Sequence, residues 1–176
     1  MRARLIITKE CHRGCRDCAT SQPGVIHSAR PITAVEELAE YEEIIVTGGE
    51  PMLDPVRTQR LLAAIRARFR RVPLYLYTAL YHPAIGVILD MIDGLTYSLH
   101  EPAAAADIAG FDAVQNLLWG RDGSYRLWVD SAITRPIRVY PFLWSRIATG
   151  RMIPDCPLPA GEVLLIWEPP EAGSGS

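Results

Sequence analysis

Cys11, Cys15 and Cys18 carry a C-x3-C-x2-C spacing in the segment Glu10-Cys11-His12-Arg13-Gly14-Cys15-Arg16-Asp17-Cys18-Ala19. Iron–sulfur clusters are held by cysteine thiolates, usually four of them. A structural zinc is also four-coordinate, whereas a catalytic metal keeps one position open. Three cysteines on one loop are one ligand short of closure. They can hold three irons of a cubane and leave the fourth open to a substrate. The same residues also allow a structural zinc completed by His12 or Cys156, or three unrelated thiols. A second candidate is Gly48-Gly49-Glu50-Pro51. Two residues without Cβ let backbone approach a ligand closely or adopt φ > 0, and the plain alternative is a tight turn ending a strand.

Those residues need elements to position them. Short apolar runs alternate with helical patterns along most of the chain. Strands are expected at Arg4–Thr8, Glu43–Thr47, Pro73–Thr78, Gly94–His100 and Arg126–Asp130, with a sixth at Glu162–Trp167. Between them, helices are expected over about Ala34–Tyr41, Pro55–Arg70, Pro83–Ile92 and through Phe111–Trp119. The first opens with Thr33 as N-cap and Glu36 three residues on, a capping box. The second carries Val56, Leu61, Leu62, Ile65 and Phe69 as one apolar stripe with arginines opposite. From Pro136 to Pro159 prolines interrupt the pattern, and this stretch is a candidate lid or docking surface.

Strand–helix alternation of this kind implies βαβ units and a parallel sheet. A complete eight-stranded barrel takes about 250 residues, and this chain has 176. The expectation is therefore a single α/β domain over residues 1–170, built as a partial (β/α)6-type open barrel. Gly173-Ser174-Gly175-Ser176 reads as flexible, so residues 171–176 are set aside as a tail or cloning scar. Parallel α/β folds place chemistry at the carboxyl ends of strands. The cysteines follow the first strand and Gly48-Gly49 the second, so both motifs open onto one face.

Composition bounds the class. A hydrophobic fraction of 49% and a charged fraction of 22% are ordinary for a globular protein. A net charge of -2 gives no reason to expect non-specific nucleic-acid or anionic-membrane binding. The run Leu5-Ile6-Ile7 is too short for a secretory h-region, and no run reaches the roughly 20 residues that span a bilayer. Clustered cysteines plus one distant Cys156 are unlike a secreted disulfide framework, so a reducing cytoplasmic location is expected. Trp119, Trp128, Trp144 and Trp167 read as core or interface aromatics.

The C-x3-C-x2-C loop after strand one and Gly-Gly-Glu-Pro after strand two together resemble the radical S-adenosylmethionine (radical SAM) enzymes. The similarity extends from about Arg4 to Ile133. Thr78 stands where that family often has Thr-Asn-Gly, Tyr97-Ser98-Leu99-His100 resembles its Ser-Leu-Asp segment, and Ile108–Val114 resembles the start of the next helix. The chain departs from the family pattern at Asp17, which replaces a common aromatic, at Ala79-Leu80 and at His100. It also lacks the glycine-rich strand-five signature.

The resemblance implies a [4Fe–4S] cluster on Cys11, Cys15 and Cys18, with SAM on the open iron. It implies reductive cleavage of SAM to a 5′-deoxyadenosyl radical that abstracts hydrogen from a substrate. The Gly48–Pro51 backbone would receive the methionine amino group, with Glu50 contacting that group or bracing the loop. Thr78 is included among the SAM contacts. Ser98 would bind the carboxylate or ribose, or else satisfy nearby backbone. Asp130 would bind the ribose, or else cap the next segment, and His100 reads as a rim histidine. No further catalytic residue is assigned. The substrate is a small molecule, such as that of 7-carboxy-7-deazaguanine synthases, or a peptide or protein, as for glycyl-radical-enzyme activases. A flavodoxin or ferredoxin would donate the electron. The alternatives are a non-catalytic iron–sulfur protein closed by Cys156 and a zinc-bound interaction module.

Overall fold

The computed structural model describes residues 1–15, 18, 20, 22–151 and 158–169. Asp17, Cys156 and the tail at 171–176 lie outside the described residues. The described strands form one sheet: β1 (Arg2–Ile6), β2 (Arg30–Ile32), β3 (Glu43–Thr47), β4 (Leu74–Thr78), β5 (Gly94–Leu99), β6 (Ser124–Asp130), β7 (Arg146–Gly150) and β8 (Glu162–Trp167). Its order is β2-β8-β1-β3-β4-β5-β6-β7, and every pairing is parallel. The run from β1 through β3 to β7 keeps chain order, and β8 returns to the starting side beside β1. No pairing among the described residues joins β2 to β7, so the sheet is open.

Helices α2 (Pro55–Arg68), α3 (Ile85–Leu89) and α4 (Ala105–Leu118) all cover one face. Their Leu62, Ile65, Ile88, Phe111 and Val114 join Leu5, Val46, Leu76, Leu95 and Leu127 of the strands in a single apolar cluster. Each such fully buried side chain contributes ~1.5–3 kcal/mol relative to exposure. Strand residues alternate across the pleat, so the intervening positions face the other side. There the apolar cluster is small: Ile6, Ala29, Leu164 and Ile166, with Val25 and Ile26 of the short helix α1 (Pro23–Ser28). The rest of that second face carries Arg4, Tyr75, Tyr77, Thr96, Ser98, Arg126 and Trp128.

The six expected strands are present, those at Glu43–Thr47 and Glu162–Trp167 with the expected bounds and the other four with shifted ends, and β2 and β7 are additional. Both are edge strands. Pro31 suits an edge because it has no ladder donor to lose, and β7 is exposed on both sides, so neither has an apolar alternation to read. Helix α1 was also not expected; Pro23 at its first position was the available signal. The helix expected at Ala34–Tyr41 is a 3-10 turn, Val35–Leu38. Glu37, not Glu36, makes the cap: its Oε1 accepts from Thr33 N at 2.7 Å and Ala34 N at 3.1 Å. The expected helices at Pro55–Arg70 and Pro83–Ile92 end and begin inside those bounds.

Val56, expected on the buried stripe of α2, is exposed. The stripe is Thr58, Leu61, Leu62 and Ile65, a regular i, i+3, i+4, i+7 set. Thr58 joins it because its hydroxyl donates to Pro51 O at 2.6 Å. Asp54 caps α2 by accepting from Arg57 N at 2.9 Å, ahead of Pro55 at the first helical position. Among the described residues no helix is long and apolar enough to cross a membrane.

Candidate functional site

The two sequence motifs meet as backbone. Beyond β1 the chain runs beside the end of β3: Ile7 N donates to Thr47 O at 2.9 Å, Gly49 N to Thr8 O at 2.7 Å, and Glu50 N to Glu10 O at 2.7 Å. The glycines allow this approach. A Cβ on Gly48 would lie 2.5 Å from Thr8 O, and one on Gly49 would lie 2.1 Å from Glu10 O. Gly48 also has φ +148, which L residues rarely adopt. The space a side chain would need is therefore filled by the strand that leads into Cys11.

Glu50 is buried and braces the loop. Its Oε1 accepts from Met52 N at 2.9 Å and from the Thr78 hydroxyl at 2.5 Å, and its Oε2 accepts from Ala79 N at 2.8 Å. Burial pushes its carboxyl above the usual range, against the opposing pull of those hydrogen bonds and of Arg13. Thr78, at the end of β4, thus ties two strand ends together. Tyr97 is held above its ordinary value by burial and by the charge of Glu50.

A cavity of about 570 Å³ opens at the carboxyl ends of β1, β3, β4 and β5. Gly48, Gly49, Glu50, Thr78 and Ser98 border it, together with Cys18, Arg4, Tyr77 and His100. Pro51 is buried behind the loop, and Asp130 lies outside the lining, where its Oδ1 accepts from Ala132 N at 2.9 Å. That bond is the turn-capping role weighed for Asp130 from sequence.

The cysteine loop is pinned from below. Arg13, between Cys11 and Cys15, donates to Asp107 Oδ1 at 2.5 Å, and Asp107 Oδ2 accepts from Ala104 N at 2.8 Å at the start of α4. The Arg13 side chain is 8% exposed, and its Nε has no hydrogen-bond partner among the described residues. Cys11 is exposed, while Cys15 and Cys18 are half-buried. Burial, then Cys18 and Cys11, push the Cys15 thiol up. Cys18 Sγ is 3.0 Å from Thr20 Oγ1. Among the described residues no three His, Cys, Asp or Glu side chains are grouped so as to hold a metal ion. His12, the alternative zinc ligand, is held below its usual pKa by burial and by Arg13.

Arg4, Tyr77 and His100 also border the cavity and were given no role from sequence. Arg4 donates to Glu162 Oε2 at 2.7 Å and lies 4.9 Å over the Tyr77 ring. Burial opposes its charge, but Glu162 and Tyr77 hold its pKa above the ordinary value. His100 packs on Trp128 at 5.1 Å, and its buried Nδ1 has no hydrogen-bond partner among the described residues. Burial, then Arg13, lower its pKa to about 4, so it is neutral at pH 7. The alternation Arg2-Ala3-Arg4-Leu5 was the available signal for Arg4, since only a two-faced strand places arginines there. Tyr75-Leu76-Tyr77 marks the same division in β4.

No protein-family model matches the chain, and no curated protein is similar to it in sequence.

Proposed function

We propose that this protein is a radical SAM enzyme with a partial-barrel fold. The observation that carries the reading is the union of its two motifs: Gly49 and Glu50 hydrogen-bond the segment leading into Cys11, and Cys18 shares a cavity wall with Gly48, Gly49 and Glu50. The donor set suits the group. Thiolates are the ligands of iron–sulfur clusters, and Cys11, Cys15 and Cys18 would hold a [4Fe–4S] cluster with one iron left to SAM. When bound, that pair supplies reductive cleavage of SAM and hydrogen abstraction from a substrate.

The chain's own residues have definable work. Gly48, Gly49, Glu50 and Ser98 line the cavity, where the methionine and nucleoside ends of SAM would lie. Glu50 and Thr78 fix the loop rather than offer it free acceptors. The unbroken strand order β1-β3-β4-β5-β6-β7, with α2, α3 and α4 on one face, supports a singly wound partial barrel over a doubly wound sheet. A cytoplasmic location and a flavodoxin or ferredoxin as electron donor belong to the same reading.

The test is anaerobic reconstitution, reduction and incubation with SAM, followed by chromatography for 5′-deoxyadenosine. Release of that product is expected. A reducible, reconstituted cluster that neither binds nor cleaves SAM overturns the reading. Stoichiometric zinc without iron or sulfide in anaerobically purified protein does the same.

A further inference from the structure

We propose that the face of the sheet opposite α2, α3 and α4 binds the anionic group of the substrate, a phosphate or a carboxylate, through Arg126 and Arg146. The inference rests on the radical SAM reading for what happens at the cavity, but its evidence is separate. Arg126 and Arg146 are register partners on β6 and β7. Register partners share a face, and like charges directly opposite each other across strands are destabilising. Neither arginine has an ion pair among the described residues, and both are exposed. The sheet therefore keeps an unfavourable pair with nothing of its own to neutralise it.

The surroundings point the same way. The chain has a net charge of -2, yet residues 131–154 contain Arg135, Arg138, Arg146 and Arg151 and no acidic residue. This edge of the molecule is basic against an acidic whole. Arg126 is already oriented, its guanidinium lying 5.8 Å from the centre of the Tyr75 ring. The planar guanidinium fork suits the oxygens of a phosphate or carboxylate, and the register brings two arginines to neighbouring strands. Arg4, the other arginine of this face near the cavity, is taken by Glu162.

The position connects to the cavity. Tyr77, Thr96, Arg126 and Arg146 are successive register partners across β4, β5, β6 and β7. Tyr77 borders the cavity. With strands ~4.8 Å apart, the arginine pair begins ~10 Å along the sheet from Tyr77. A small molecule can span that distance with its reacting end in the cavity and its anionic end on the arginines. Thr96 lies between them as a hydroxyl on the path.

The experiment uses the full reconstituted chain, with inorganic pyrophosphate and citrate as separate probes at matched ionic strength, read by calorimetry. One probe is expected to bind, pyrophosphate if the recognised group is phosphate and citrate if it is carboxylate. Arg126→Gln and Arg146→Gln are each expected to weaken it about tenfold or more. Arg126→Lys and Arg146→Lys, which keep charge but lose the fork, should retain only part of the affinity. Arg57→Gln, on the outer side of α2, should bind as the parent does. Because the pair is repulsive, Arg146→Gln should melt no lower than the parent. Absence of binding, binding unchanged by both glutamine variants, or a clear fall in the melting temperature of Arg146→Gln overturns the proposal. The 5′-deoxyadenosine assay without either probe separates the two readings. Product without arginine-dependent anion binding overturns this inference alone, and anion binding without product overturns the cofactor reading while the arginine site stands.

Discussion

The two faces of the sheet are built from the same strands and do different work. The face under α2, α3 and α4 is a continuous apolar layer, in which Phe111 stacks between Tyr97 and Trp144 with ring centroids 5.9 Å away on each side. The other face holds one small apolar cluster under α1 and elsewhere is largely polar or aromatic, with Arg4, Tyr75, Tyr77, Thr96, Ser98, Arg126 and Trp128 on it. Barrel interiors are commonly filled with branched aliphatic side chains; this face instead borders a cavity. The main apolar core lies on one side of the pleat and the cavity on the other. The two meet at Glu50, whose carboxylate borders the cavity and holds three donors from two strand ends.

Substitutions sharpen or break that division. Phe111→Ala should be the most damaging, costing ~3–5 kcal/mol in urea denaturation. Tyr77→Ala on the open face should cost less than half as much; equal losses would erase the distinction between faces.

The junction comes next. Glu50→Gln leaves one oxygen for three donors and should cost ~1–3 kcal/mol at neutral pH. The sign of its pH dependence follows from burial. With the folded pKa raised, the native state holds the proton longer than the unfolded chain does. Stability is greatest below the unfolded value and falls as pH rises toward the folded one. Denaturation curves across that window should show the fall in the parent and its absence in Glu50→Gln.

Gly49→Ala should also cost ~1–3 kcal/mol, since its Cβ collides with the Glu10 carbonyl and overpacking carries such penalties. Because Glu10 precedes Cys11, iron content after reconstitution should fall with SAM binding. Retained iron with lost SAM binding would return the glycines to a role toward the ligand.

At His100 the expected effect is confined to acid pH. Its folded pKa of about 4 lies below the ordinary 6.5. Stability is therefore intact above the unfolded value and declines as pH falls from there toward the folded one. A ring-proton NMR titration should place its midpoint near 4, and a midpoint near 6.5 would show the ring to be solvated rather than packed on Trp128. The smallest effect belongs to Trp119→Ser. That residue is 62% exposed and lies edge-on to the exposed Phe142, so the change should stay within ~0.5 kcal/mol.

The pattern of residues alone determined the α/β alternation, all six apolar strands and the placing of both motifs after strands one and two of the expected set. Buried strands and amphipathic helices write their period directly into the chain. It also carried the ligand arithmetic of Cys11, Cys15 and Cys18, because thiol count and spacing are local. It did not reveal β2 and β7, whose pairing is decided by a neighbour rather than by their own hydrophobicity. Nor did it show that β8 returns beside β1, since register is a long-range choice.

Tertiary structure alone decided what each polar residue faces. The pleat placed Arg4, Tyr77 and His100 against the cavity and Asp130 in a turn. Close packing of the Gly48-Gly49 backbone on Thr8–Glu10 assigned those glycines to a chain contact, and burial made Glu50 a brace. Each outcome depends on which atoms from distant segments occupy the surrounding space, which spacing along one chain does not encode.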